Sequence, residues 1–230
     1  MKRKSVEIND LYKLKFLREI TLSPDGERVA YTVEWLDKGK NRYYSNLYVV
    51  TKDRKNHRFI GGNKDIKRPR WSPDGRYISF ILTEKKQNEM KQNIWVIPAD
   101  GGEAYPVTDV KGTFGNYVWS PDSKKIICDF TVKKEDRERV PERGKPPLYY
   151  HIKEAWYKLD GRGILPEEKP HIWKITVATG KMQQLTFGEN GDQEPAISSD
   201  GKKIVFISNR QKDRVEKMLY LDIFVVDIDG

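Results

Sequence analysis

Most of the chain consists of short apolar or alternating runs, separated by clusters of Gly, Pro, Asp and Ser. Runs of this length, rich in β-branched and aromatic residues, read as strands rather than helices. The clearest is Tyr77-Ile78-Ser79-Phe80-Ile81, entered through Ser72-Pro73-Asp74-Gly75. That tetrapeptide suits a type I turn: Ser fits the first position, and Pro is already fixed near the φ of the second. Asp is tolerated at the third, and Gly closes the fourth without steric penalty. Pro69-Arg70-Trp71 precedes it as a short strand, so the unit reads strand, tight turn, strand.

The unit recurs. Ser23-Pro24-Asp25-Gly26 leads into Arg28-Val29-Ala30-Tyr31, Ser120-Pro121-Asp122-Ser123 into Lys125-Ile126-Ile127-Cys128, and Ser198-Ser199-Asp200-Gly201 into Lys203-Ile204-Val205-Phe206. The first Ser falls at 23, 72, 120 and 198, spacings of 49, 48 and 78. A period of about 40–50 residues holding several strands is the signature of propeller blades. The longer third interval places an insertion in one blade. Each period also holds a second apolar strand, at Leu47-Tyr48-Val49, Ile94-Trp95-Val96, Ile172-Trp173-Lys174 and Ile223-Phe224-Val225. A weaker closing strand follows in three of them, at Arg58-Phe59-Ile60, Ala104–Thr108 and Met182–Thr186, and an edge strand tolerates Pro106.

The expected fold is therefore all-β, a β-propeller of four-stranded blades with about four blades visible. One domain is expected over 1–230: a leader at 1–20, then blades at about 17–62, 63–110, 111–190 and 191–230. The insertion occupies about 133–169 of the third blade. A single β-sandwich would not keep so regular a period. The leader segment Ile8–Leu17 reads as a short helix or turn capped by Asn9 or Asp10, with Leu11, Leu14 and Phe16 as its apolar side.

Composition refines this picture. Charged residues make up 33% and mean hydropathy is −0.77, yet 11% of residues are aromatic, which fits a globular rather than a disordered chain. Heavy Lys and Glu usage is thermophile-like. The net charge of +9 is concentrated: Lys40 to Arg76 carries eleven basic and three acidic residues, whereas the chain from Tyr77 onward is balanced. Such a stretch can mark a phosphate-binding or anionic-substrate surface. Here the basic residues alternate along strands and turns without stacking aromatics. The preferred reading is a solvated edge that blocks strand pairing, and nucleic acid is not an expected partner. The one cysteine, Cys128, lies in a predicted core strand and cannot form an intrachain disulfide, which favours a reducing compartment. No signal-peptide core follows the basic Met1–Ser5 start, and no run reaches membrane-spanning length. The chain reads as soluble and cytoplasmic.

Catalytic signals are sparse. His57, His151 and His171 stand in unrelated settings, without the spacing of a metal site. His171 opens a strand and reads as structural. Asp25, Asp74, Asp122 and Asp200 all occupy turns, where their carboxylates can satisfy backbone N–H groups. Glu167-Glu168 reads as a solvated loop, and Gly161-Arg162-Gly163 lacks the third glycine of a phosphate loop. No Gly-x-Ser-x-Gly elbow occurs, and Ser198-Ser199-Asp200-Gly201 is a blade turn. No catalytic, cofactor-binding or metal-ligating residue is assigned. The best place for specificity is the insertion, where the charge run Lys133–Arg139 and Pro141, Gly144, Pro146 and Pro147 precede Tyr149-Tyr150-His151 and Ala155-Trp156-Tyr157. A solvated excursion with its aromatics packed on the blade edge would explain the same residues.

Two segments carry a resemblance. Asp10-Leu11-Tyr12-Lys13-Leu14-Lys15-Phe16 followed by Leu22–Tyr31, and Tyr157-Lys158-Leu159-Asp160-Gly161-Arg162-Gly163-Ile164-Leu165-Pro166 followed by His171-Ile172-Trp173, resemble the acylaminoacyl peptidases of the prolyl oligopeptidase family of serine peptidases. The Ser-Pro-Asp-Gly repeat alone is less specific, because Tol-associated propellers share it. The resemblance implies a seven-bladed propeller ahead of an α/β-hydrolase domain that carries a Ser-Asp-His triad. Four blades are visible here, the last without its closing strand, and no elbow lies within the 230 residues. The expectation is a truncated fragment: the non-catalytic propeller portion of a peptidase that releases N-terminal, acylated amino acids from short peptides. It would act as a substrate-size filter and be inactive alone. Its partners would be the α/β-hydrolase domain of the parent chain and short peptides. The alternative is a stand-alone protein-interaction propeller. An open arc of four blades would leave two apolar faces unpaired and drive self-association.

Overall fold

The computed structural model describes residues 5–86, 89–133, 152, 157–160, 163–164, 168–212 and 220–229. The leader forms a 3-10 helix at Ile8–Lys13. Its N-cap is Glu7 rather than Asn9 or Asp10: the Asp10 carboxylate sits one turn in and accepts the Glu7 N–H at 3.0 Å. None of its residues is buried, so Leu11 and Leu14 pack against no core.

The first sheet runs β1 (Lys15–Leu22), β2 (Arg28–Asp37), β3 (Arg42–Thr51) and β4 (Asn56–Ile60), in that spatial order and antiparallel throughout. Its first strand thus begins inside what the sequence reads as leader. The second sheet repeats the order with β5 (Ile66–Trp71), β6 (Tyr77–Lys86), β7 (Glu89–Pro98) and β8 (Tyr105–Pro106). Its closing strand is shorter than the sequence suggests, because the Val107 and Thr108 N–H groups both turn to the one Ile94 carbonyl, at 2.8 and 3.3 Å, which ends the ladder. The third sheet has β9 (Gly112–Trp119), β10 (Lys125–Val132), β13 (His171–Thr176) and β14 (Met182–Gln184), again in blade order. Between β10 and β13 a small ribbon pairs β11 (Lys158–Leu159) with β12 (Gly163–Ile164). Among the described residues the last sheet has three strands, β15 (Asp192–Ile197), β16 (Lys203–Ser208) and β17 (Asp222–Asp227). Tyr149, Tyr150, His151 and Trp156 of the insertion lie outside the described residues.

Contacts divide the chain into two compact units. One is Met1–Val110 with Val118–Ile126 and Ile175–Met182; the other is Lys111–Tyr117 with Ile127–Lys174 and Gln183–Gly230. In the first, Leu47, Ile66, Trp71, Ile78, Phe80 and Ile97 form one buried cluster. Full burial of each such side chain is worth about 1.5–3 kcal/mol. The tryptophan in front of a turn also reaches the preceding sheet: Trp71 Nε1 donates to Thr21 O at 3.2 Å, and Trp119 Nε1 to Ser79 Oγ at 2.7 Å. In the second unit, the Phe114 and Phe130 rings pack tilted at 39° with centroids 4.5 Å apart, and Trp173 meets Phe130 edge-on.

The four turns share one hydrogen-bond design. The hydroxyls of Ser23, Ser72, Ser120 and Ser198 donate to Asp25, Asp74, Asp122 and Asp200 at 2.5, 2.6, 2.5 and 2.5 Å. Each hydroxyl also accepts the backbone N–H five residues on, from Arg28, Tyr77, Lys125 and Lys203. The fourth turn position has positive φ, 74° at Gly26 and 58° at Ser123, which is why glycine dominates it.

A second repeated device latches the closing strand. Thr108 Oγ1 accepts the Ile94 N–H and donates to Asn93 Oδ1, both at 3.0 Å, and Thr186 Oγ1 accepts the Ile172 N–H at 2.9 Å. Both threonines stand 15 residues after the strand-opening Asn93 and His171. In the first sheet that position is Gly61, directly after Ile60, which pairs with Leu47. Without the hydroxyl, the buried Asn46 Oδ1 has no hydrogen-bond partner among the described residues.

Candidate functional site

The turn aspartates are committed to structure. Their Oδ1 atoms accept the N–H groups of Glu27, Arg76, Lys124 and Lys202 at 3.0–3.1 Å. The serine hydroxyl is the main influence holding Asp25, Asp122 and Asp200 below the ordinary carboxylate value. At Asp74 partial burial pushes the other way, and the bonds from Ser72 and Arg76 outweigh it. Cys128 is fully buried in β10, and burial, then the neighbouring Asp129, push its thiol well above its usual range. His57 is exposed on β4. His151 and Glu167 lie outside the described residues, and Glu168 is half-buried.

The first strands of the sheets carry a feature with no signature in the sequence. Glu19, Arg68 and Glu194 have φ of 39°, 54° and 53°, a left-handed conformation that charged residues seldom adopt. Each sits four residues before the turn serine, where the strand register shifts. The bulges are held by carboxylates. Glu19 Oε2 accepts the Arg68 N–H in the first unit. In the second unit the buried Asp129 accepts the N–H groups of Asn116 and Glu194 at 3.0 and 2.9 Å, one on each oxygen. Asn116 Nδ2 donates to Glu194 Oε2 at 2.8 Å. Gly115 makes room: a Cβ there would lie 1.7 Å from Asp129 Oδ1.

His171 belongs to a second polar cluster. Its Nδ1 is 3.4 Å from Asp192 Oδ2, and Arg210 reaches Asp192 Oδ1 at 3.3 Å. Asp192 is fully buried, and the Arg210 guanidinium lies over the Phe224 ring at 4.4 Å. The sequence reading missed Asp192. Aligning the repeats would have exposed it, because Ile66 and Phe114 hold the same position six residues before the turn serine. No serine, threonine or cysteine among the described residues is bonded to His171, whose ring contact is with the Asp192 carboxylate. Among the described residues, no group of three His, Cys, Asp or Glu side chains could hold a metal ion. The bulges, buried carboxylates and turns among the described residues organise backbone.

No family model matches the chain. Its sequence is 29% identical over 212 residues to the uncharacterized peptidase YuxL of Bacillus subtilis, an alignment covering 90% of this chain and 32% of the relative. It is 25% identical over 231 residues to dipeptidyl-peptidase 5 of Porphyromonas endodontalis, covering 90% and 31%. In structure it superimposes on the acylaminoacyl peptidase of Pyrococcus horikoshii with a TM-score of 0.69 and 19% identity, over 94% of this chain and 32% of that one. The chain has the β-propeller fold of the acylaminoacyl peptidases. Its four-stranded sheets are therefore propeller blades, and the chain spans about a third of the length of the relatives it matches. No helix among the described residues is long and apolar enough to cross a membrane.

Proposed function

We propose that this chain is the non-catalytic propeller portion of a serine peptidase acting on short, N-acylated peptides, and that it restricts access by peptide size. The observation that carries this reading is the coverage: relatives named as peptidases match over nearly all of this chain but about a third of their own length. The remaining two thirds would supply further blades, completing seven, and an α/β-hydrolase domain with the triad. The lone buried Cys128 supports a reducing, cytoplasmic setting.

The test is hydrolysis of an N-acetylated chromogenic dipeptide, and of the same residue at the end of a peptide of about 30 residues. The 230-residue chain alone should cleave neither. A gene product extended through an elbow should cleave the short substrate, and deletion of these blades should remove the discrimination against the long one. Hydrolysis by the chain alone, or unchanged discrimination after deletion, would refute the reading.

The isolated chain is further proposed to self-associate. Leu17, Ile20 and Leu22 on β1, and separately Ile223 and Val225 on β17, are 58–72% exposed, more apolar strand surface than a monomer ordinarily shows to water. Light scattering should give a dimer or larger species; a monodisperse monomer would overturn this.

A further inference from the structure

The basic stretch Lys40–Arg76 is not spread evenly over a solvated edge. Part of it converges on a cleft of about 450 Å³ in the first unit, lined by the β2–β3 hairpin, the segment joining the first two sheets, and β6. Lys40 and Arg42 come from the hairpin and Lys64 from the joining segment. The walls are stitched together by main chain: the Ser45 N–H donates to Lys64 O at 2.7 Å, and the Thr83 N–H to Asp65 O at 2.9 Å. The cleft is therefore held open by strand backbone rather than by its own side chains.

Its charge is unbalanced. Among the described residues Glu84 is the one lining carboxylate, and it lies 3.8 Å from Lys64. Asp37 Oδ1 caps the hairpin by accepting the Lys40 N–H. Lys40 and Arg42 have no carboxylate partner among the described residues. The Arg42 guanidinium is instead laid over the buried Tyr44 ring at 5.6 Å, which limits its rotamers and leaves its N–H fork available. A partly ordered guanidinium with two ammonium groups around one cleft suits a carboxylate, which can accept a bidentate bond from Arg.

We infer that this cleft binds an acidic peptide segment, with Arg42 and Lys64 engaging its carboxylates and Lys40 adding long-range attraction. The Asn63 amide, which lines the cleft, provides an acceptor for a peptide N–H group. The same features disfavour nucleic acid. Tyr44, nearly buried and with Arg42 over its ring, leaves no exposed aromatic face on which a base could stack. The inference goes beyond the peptidase reading and does not need it, since it concerns binding without hydrolysis.

Fluorescence anisotropy on the 230-residue chain tests it, with labelled tetraglutamate as the probe and tetraglutamine as its neutral match. Tetraglutamate should bind, and the double variant R42Q/K64Q should weaken it by roughly tenfold or more. The charge-matched variant K124Q/K202Q, on exposed turns elsewhere, should stay within about twofold. E84Q should tighten binding by about two- to fivefold, a gain that damage to the fold cannot mimic. Equal losses in the two double variants, equal binding of tetraglutamine, or no binding of tetraglutamate would each overturn the inference. So would tighter binding of a single-stranded oligonucleotide with a steeper salt dependence.

Discussion

Gly61→Thr should stabilise the protein, an unusual direction for a substitution at a partly buried glycine. Gly61 has no positive φ, so a side chain is compatible with its backbone. Removing the glycine's freedom in the unfolded chain is worth roughly 0.4–1 kcal/mol. The new hydroxyl would occupy the place of Thr108 and Thr186, donating to Asn46 Oδ1 and accepting the Leu47 N–H. A hydrogen bond to a buried, unpartnered acceptor contributes about 1 kcal/mol. Against this, the Cβ would come within 2.8 Å of Arg58 Nε, but that contact is with a flexible, exposed side chain that can swing away. Moving it costs a few tenths of a kcal/mol, leaving a net gain of about 1–2 kcal/mol. At this chain length that is a rise of roughly 3–6 °C in melting temperature. Gly61→Val is the decisive control, since it has the shape of Thr and the same effect on the unfolded chain without the hydroxyl. Urea midpoints of both variants, alone and combined with Asn46→Ala, isolate the bond. If Thr is no better than Val, or if its advantage survives removal of Asn46, the latch argument is wrong.

Three further outcomes follow from the geometry. Gly115→Ala should lower stability by about 2 kcal/mol or more, because the new methyl displaces a buried carboxylate that holds two N–H groups; an unchanged urea midpoint would show that β9 can yield. The turn aspartates are held below their ordinary value of about 3.9, so their contribution is complete above that pH and is lost as pH falls through the lowered values. Asp53, held at about 2 by Lys55 and Thr51, is lost last. Melting temperature should thus fall between about pH 4 and 2, and Asp122→Asn, which keeps the acceptor but cannot titrate, should make the fall shallower; an identical profile would count against the turn's role. Cys128 should not react with a disulfide reagent at pH 8 in the native protein and should react promptly in urea; fast native labelling would contradict its burial.

The regular parts of this fold are legible because they rest on short-range chemistry. Ser-Pro-Asp-Gly encodes its turn within four residues, and the apolar runs after it can only be strands. What could not be read directly depends on partners distant in sequence. Nothing in Glu19, Arg68 or Glu194 announces a left-handed φ, since that conformation is imposed by neighbouring strands and carboxylates. Asp192 and Gly61 are intermediate cases. Each is ordinary alone and conspicuous only against its counterparts in the other repeats. The cleft at Arg42 has no sequence signature, because alternation along a strand does not tell which basic residues meet across two sheets.

The turns also bear on how such a repeat can diverge. The third copy replaces Gly with Ser123 and the fourth replaces Pro with Ser199, yet the Ser–Asp bond and the closing N–H remain in both. Two letters of the four therefore carry the instruction, and the other two are at liberty to acquire new duties. Ser123 has done so: its hydroxyl accepts the Asp74 N–H at 3.0 Å, tying one blade's turn to the next. A degenerate code of this kind lets copies drift apart in sequence while the architecture they spell stays the same, and spare positions become the joints between modules.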